Sequence, residues 1–169
     1  SARYVTKTHT TNVATFRTPT LGPIGLVTKH RILFMQELLE TTRLDITSVN
    51  GTIPIVKAYA GMQGDLLEAI AHTKVDGLVI EALGAGNLPP QAVTALKKLL
   101  VQKIPVVLVS RCFNGIAEPV YDYEGGGKEL ANMGIIFCNS INSQKARIKL
   151  LIALNHGLKD QSLISFITQ

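Results

Sequence analysis

From Ile53 onward the chain carries four short apolar runs, and no other feature of its 169 residues restricts the fold as strongly. The runs are Ile53–Tyr59, Gly77–Leu83, Ile104–Val109 and Gly134–Cys138. Apolar residues follow one another in them with little polar alternation. A strand with apolar side chains on both faces must be covered on both, which points to a parallel sheet between layers of helices. The segments between the runs change to helical character. Gly64-Asp65 opens a short helix through Thr73, and Pro89-Pro90 opens one that ends near Gln102. Proline is tolerated there because the first-turn N–H groups have no intrahelical partner to lose. Asn142 is placed to cap a helix over Ser143–Asn155, with Gly157 as its stop, and Asp160 to cap a last helix ending near Ile167.

Right-handed crossovers between parallel strands leave few topologies. The expected fold is α/β, a three-layer flavodoxin-like sandwich with a four-stranded parallel sheet, preceded by an extended and β-hairpin leader. The leader, residues 1–52, obeys different rules. Thr6–Thr20 is rich in β-branched residues without helical period and reads as extended chain. Gly22-Pro23 then precedes Ile24–Thr28, and Lys29-His30 separates that segment from Arg31–Met35, the pattern of a hairpin. Leu38–Val49 reads as a polar connector. A lone hairpin is barely stable in water, so the leader is expected to be the remnant of a larger domain, and residues 53–169 the domain with its own core.

Composition narrows the function classes. Apolar residues make up 46% and charged residues only 17%, against roughly 25% charged in an average globular protein. That balance fits either a face covered by a partner domain or subunit, or a large internal core. The net charge is +5, but the longest basic run is Lys97-Lys98, and no basic cluster interleaves with aromatics. A nucleic-acid footprint needs a basic stripe as well as net charge, so no nucleic-acid partner is expected. The densest apolar stretch, Ile148–Leu154, is far shorter than the ~20 residues of a membrane span. Cys112 and Cys138 lack CxxC spacing and fit a reducing, cytoplasmic compartment.

Four motifs could carry chemistry. Gly84-Ala85-Gly86-Asn87 follows the second apolar run; it reads either as an anion cradle or as a tight strand-to-helix turn, and it lacks nucleotide-loop spacing. Ser110–Gly127, at the carboxyl end of the third run, sits where ligands bind in open α/β sheets. Within it, Asp122 and Glu124 lie among Tyr121 and Tyr123 before Gly125-Gly126-Gly127. Three glycines permit backbone excursions and mobility, and two carboxylates on such a loop could hold an amino-acid ammonium, or be a solvated surface. Cys112 beside Arg111 has a cationic neighbour that favours a thiolate, but His9, His30, His72 and His156 fall in unrelated elements, so no Cys–His nucleophile is expected. Lys145 and Arg147 read as helix-surface residues that pair with a neighbouring subunit. The histidines and carboxylates show no metal-ligand spacing.

The ordered set of GAGN at Gly84–Asn87, SRCFNGIAEPVYDYEGGG at Ser110–Gly127 and NSQKAR at Asn142–Arg147 resembles the carboxyl-terminal domain of bacterial L-asparaginases. The opening SARYVTKTHTTNVATF resembles the end of that family's amino-terminal domain. The resemblance implies hydrolysis of asparagine to aspartate and ammonia without a cofactor, a homo-oligomer, and an amino-terminal asparaginase domain as partner. It also implies that Asp122 matches an acid contributed to the neighbouring subunit's site, with Glu124 as the alternative because this loop is longer. Gly61 stands where the periplasmic enzymes carry a site asparagine, and is otherwise a turn residue. The family's threonine nucleophile lies in a TGGT-type turn, with a Thr–Asp pair and a Lys, and none of these segments occurs here. The chain alone is therefore expected to be inactive. Two other classes stay open: a stand-alone binding or assembly module, and an amidotransferase component that supplies ammonia.

Overall fold

The computed structural model describes residues 2–37 and 42–169. These fall into two compact units, divided between Arg43 and Leu44. The first four residues of the polar connector expected from Leu38 lie outside the described residues.

The first unit is built from two small antiparallel ladders. Strand β1 (Thr6–Lys7) pairs with β2 (Phe16–Arg17), and β3 (Gly25–Val27) pairs with β4 (Ile32–Phe34). The second ladder is the expected hairpin, with Leu26 opposite Leu33 and the Thr28 N–H and hydroxyl both donating to the Arg31 carbonyl at 2.9 Å. The first ladder lies in the stretch read as extended chain and adds a pairing that the sequence did not specify. Its register depends on the Thr15 hydroxyl, which accepts from the His9 N–H at 2.8 Å and donates to the His9 carbonyl at 2.7 Å. Val27 and Phe34 on the hairpin remain largely exposed.

The second unit is the expected α/β sandwich. Strands β5 (Ile55–Lys57), β6 (Leu78–Ala82), β7 (Val106–Ser110) and β8 (Ile136–Phe137) form one parallel sheet in sequential order. Val79 stands beside Val107 and Val107 beside Ile136, so the four apolar runs are in register across the sheet. Helices α1 (Asp65–Ala71), α2 (Pro90–Val101) and α3 (Gly127–Asn132) make the crossovers. Crossovers of one hand in a sheet that grows in one direction all fall on one face. Val56, Leu78, Ile80, Val106 and Leu108 point to that face and bury Leu67, Leu96 and Leu130 from the three helices. The alternate residues Val79, Val107, Val109 and Ile136 point the other way. They are covered by α4 (Ser143–Asn155) and α5 (Asp160–Thr168) through Leu150, Leu151, Leu163 and Ile167. Period-two alternation thus divides each apolar run between two cores.

Several details depart from the expectation. β5 and β8 are shorter than the apolar runs that announce them, because both lie at the sheet's edges and lose ladder partners on one side. Helix α3 occupies a stretch to which the sequence reading assigned no element. Asp160 is not the cap of α5: Lys159 holds that position, and Asp160 is the first helical residue, at φ +48. The reciprocal bonds come from Ser162, whose hydroxyl accepts from the Lys159 N–H at 3.1 Å and donates to its carbonyl at 2.7 Å. Asn142, by contrast, caps α4 as expected, its side-chain oxygen accepting from the Lys145 N–H at 3.0 Å. No helix among the described residues is long and apolar enough to cross a membrane.

Leu108 is fully buried in the inner strand β7 and faces the α1–α2 layer. Leu108→Ala leaves a cavity that both neighbouring strands resist closing, and should cost about 2–5 kcal/mol. Urea unfolding followed by far-ultraviolet circular dichroism checks this.

Candidate functional site

All loops that leave the carboxyl ends of β5, β6, β7 and β8 converge on one edge of the second unit. The loop after β5 carries Tyr59 to Met62, where Met62 N–H closes a turn on the Tyr59 carbonyl at 3.1 Å. Gly61 sits in that turn at φ +77, exposed and with no heavy atom within 4 Å of an added Cβ. A turn role accounts for its backbone.

The Gly84–Asn87 segment is a tight turn. Leu83 and Asn87 form an antiparallel bridge, with the Leu83 N–H on the Asn87 carbonyl and the Asn87 N–H on the Leu83 carbonyl, both at 2.9 Å. A Cβ on Gly86 would lie 2.7 Å from the Phe137 ring, so side-chain packing as well as curvature selects glycine there. Of the two readings of this segment, the turn is the one realised.

The long loop after β7 is stitched to that turn along its length. The Ser110 hydroxyl donates to the Gly84 carbonyl at 2.6 Å, and the Glu118 N–H donates to the Ala85 carbonyl at 2.8 Å. Further on, the Leu88 N–H donates to the Gly125 carbonyl at 2.9 Å, and the Gly127 N–H donates to the Asn87 side-chain oxygen at 3.1 Å. The three consecutive glycines are buried. Gly125 has φ +80, and a Cβ on it would lie 2.2 Å from the Leu88 carbonyl oxygen; one on Gly126 would lie 2.6 Å from the Tyr121 oxygen. The triplet therefore permits close packing, which corrects the expectation that it confers mobility. Glu129 completes the arrangement by accepting from the Gly125 N–H at 2.7 Å, in the manner of a helix-start carboxylate.

This packed frame displays Asp122 and Glu124 in solvent. Asp122 pairs with Lys128 at 3.6 Å, and both side chains are at least half exposed. Such a pair contributes about 0–1 kcal/mol and exchanges readily for another cation. Tyr121 and Tyr123 flank Asp122 with ring centroids 5.9 Å apart. The structure puts Gly61, Asp122 and Glu124 on loops of the same sheet edge, and no hydrogen bond among the described residues joins them.

Beneath the edge lies a polar cluster that sequence reasoning missed. The Glu81 carboxylate, on β6, accepts from the Ser143 hydroxyl at 2.5 Å and pairs with Lys57 of β5 at 3.1 Å. Ser143 is 1% exposed and begins α4, so an anion there also faces the positive end of the helix dipole. A lone acid at the end of an apolar run was the available signal. Arg147, expected to pair outside the chain, donates to the Ile53 carbonyl at 2.8 Å and ties α4 to the start of β5. Partial burial lowers the pKa of Lys145 from its ordinary value. Cys112 is exposed at the carboxyl edge, whereas His72 ends α1 and His156 ends α4, at the opposite edge of the sheet.

Residues 52–165 match the family model described as the glutaminase/asparaginase C-terminal domain. The chain belongs to that family. A probable L-asparaginase from Deinococcus radiodurans is 38% identical over 99% of this chain and 52% of its own length. A glutamyl-tRNA(Gln) amidotransferase component from Methanobrevibacter smithii is 30% identical over 86% of this chain and 34% of its own length. Among solved structures, that of a probable cytoplasmic L-asparaginase from Campylobacter jejuni superposes with a TM-score of 0.85 at 26% identity, over 99% of this chain and 51% of that one. The chain spans about half the length of the L-asparaginases it matches.

The two glycine environments in the asparaginase-family loop give a direct stability test. Gly115 is at φ +97 with open space around it, whereas Gly125 combines positive φ with a close carbonyl. Gly115→Ala should cost about 1–2 kcal/mol, from backbone strain alone. Gly125→Ala should cost that and a further 1–3 kcal/mol or so from overpacking. Thermal melts of the two variants, ordered the other way, would contradict the packed-loop description.

Proposed function

We propose that this chain is the carboxyl-terminal portion of an L-asparaginase, whose whole protein hydrolyses the side-chain amide of asparagine to aspartate and ammonia. The observation that carries the reading is the family match over residues 52–165, joined to asparaginase relatives about twice as long as this chain. Within the whole protein, this domain completes the substrate pocket and contributes to a homo-oligomer interface. Its partner is the amino-terminal asparaginase domain, which supplies the threonine nucleophile. A cytoplasmic setting is supported by the description of the Campylobacter relative.

The contribution of this chain is binding rather than bond-making. Asp122 offers an exposed carboxylate on a loop held rigid by the Asn87 and Gly125 hydrogen bonds, and a carboxylate so placed can orient the ammonium of an amino acid. Its present partner, Lys128, is itself an ammonium group. Glu124 is the second carboxylate of the same loop, and Gly61 leaves the neighbouring turn without a side chain. A second reading has an observation of its own: the amidotransferase relatives favour a component that releases ammonia for transfer to a tRNA-bound substrate.

Two measurements test these assignments. The purified 169-residue chain should release no ammonia from asparagine above background. Saturable turnover abolished by a substitution within this chain would overturn the division of labour. In the whole protein, Asp122→Ala should lower kcat/KM by about tenfold to a hundredfold, since a hydrogen bond to a charged group contributes roughly 1.5–3 kcal/mol. Lys128→Met should leave kcat/KM unchanged or raise it by freeing the carboxylate. A larger loss for Glu124→Ala than for Asp122→Ala moves the role two residues along.

A further inference from the structure

The chain contains two Asn-Gly pairs, Asn50-Gly51 and Asn114-Gly115, and the structure treats them in opposite ways. Asn-Gly is the dipeptide most prone to self-modification. The backbone nitrogen that follows can attack the asparagine side-chain carbonyl, and glycine has no side chain to obstruct the approach.

At Asn50 the backbone is held on both sides by Asn155. The Asn50 N–H donates to the Asn155 side-chain oxygen at 3.0 Å, and the Asn155 amide donates back to the Asn50 carbonyl at 2.8 Å. The adjoining chain is held as well. His156 Nδ1 meets the Asp45 carbonyl at 2.7 Å, and the Thr52 N–H donates to Asp76 at 2.7 Å. Gly51 is crowded, with Asp76 and Leu151 atoms 3.3 Å from where its Cβ would be.

Asn114-Gly115 has none of these restraints. Both residues are exposed, in a run of bends between β7 and the buried Ala117. Gly115 is at φ +97 with nothing within 4 Å of an added Cβ. At both pairs the residues are exposed, and the attacking N–H and the asparagine side chain are without a hydrogen bond among the described residues. The contrast therefore lies in the backbone: nothing among the described residues holds Asn114 as Asn155 holds Asn50.

We infer that Asn114 is a site of spontaneous covalent modification in the native protein, by cyclisation onto Gly115, whereas Asn50 is protected by the fold. The Gly115 nitrogen loses its proton and bonds to Cγ of Asn114. The bond from Cγ to the side-chain nitrogen breaks, and that nitrogen leaves as ammonia after taking up a proton. The resulting five-membered succinimide is opened by water at either carbonyl, giving aspartate or isoaspartate. No oxidant or reductant is needed. The step accelerates with rising pH because the attacking nitrogen must be deprotonated. The product adds a carboxylate three residues from Arg111, whose guanidinium donates to the Ala58 carbonyl at 3.1 Å, so the charge of the functional edge changes with age.

The inference is independent of the reaction proposed above and is tested on the whole chain as purified. Native protein is incubated at neutral and mildly alkaline pH, then digested and mapped by mass spectrometry with isoaspartate detection. Amide-to-acid conversion should be at least tenfold faster at Asn114 than at Asn50, and should rise with pH. In concentrated urea the two dipeptides lose their different surroundings, and their rates should converge. Asn114→Gln keeps the amide but would require a larger ring, and should abolish conversion at that position in folded protein. Equal native rates, faster conversion at Asn50, or no conversion at Asn114 would each overturn the inference. A rate difference that persists in urea would assign it to sequence and not to the fold, which also overturns it.

Discussion

Two-sided burial of strands β6 and β7 is the constraint from which the rest of the second unit follows. Leu78, Val79, Ile80, Val106, Val107 and Leu108 are at most 1% exposed, and consecutive members of each run face opposite cores. Neither core can be opened without exposing half of both strands. The handedness and one-way growth of the sheet put the three crossover helices on one face, so the chain has to continue into α4 and α5 to cover the other. The hydrophobic effect sets the layers, and the parallel ladder sets the direction in which every loop emerges.

Because all four strands run the same way, their carboxyl ends deliver the candidate-site loops to one edge. Two kinds of polar linkage then fix those loops. Above the sheet, Asn87, Ser110 and Glu129 satisfy backbone groups that the irregular chain would otherwise leave unpaired. Below it, Glu81 gathers Lys57 and Ser143 at the first turn of α4. The exposed acids on the frame are consequently held in place by hydrogen bonds in the chain around them.

The periodic parts of this architecture were legible from the residues, and the reason is physical. Uninterrupted runs such as Val106–Val109 tolerate few environments, and Asn142 before an apolar helix has one common use. Some short elements were not legible. Helix α3 begins with a glycine and is stabilised by Glu129 reaching back to Gly125, a contact that composition does not announce. The β1–β2 pairing depends on one threonine hydroxyl, and the cap of α5 on Ser162 rather than on the more suggestive Asp160. At the edge, the sequence shows that Asp122 and Glu124 share a loop, but it does not reveal how the Gly125–Gly127 triplet packs beneath them. Three glycines in a row suggest freedom, and only the positions of Leu88 and Tyr121 reveal that they are there because nothing larger fits.

The strand order carries a consequence for how any ligand can be held. A sheet wound outward in both directions opens a crevice where neighbouring loops part, and ligands settle into it. This sheet is wound in one direction only, β5 to β8, so it has no reversal of strand order and no crevice of that kind. Under the proposed function, enclosure of a small polar molecule over Asp122 would have to come from a surface that the sheet itself does not provide, and selectivity at this edge would be a property of two surfaces meeting.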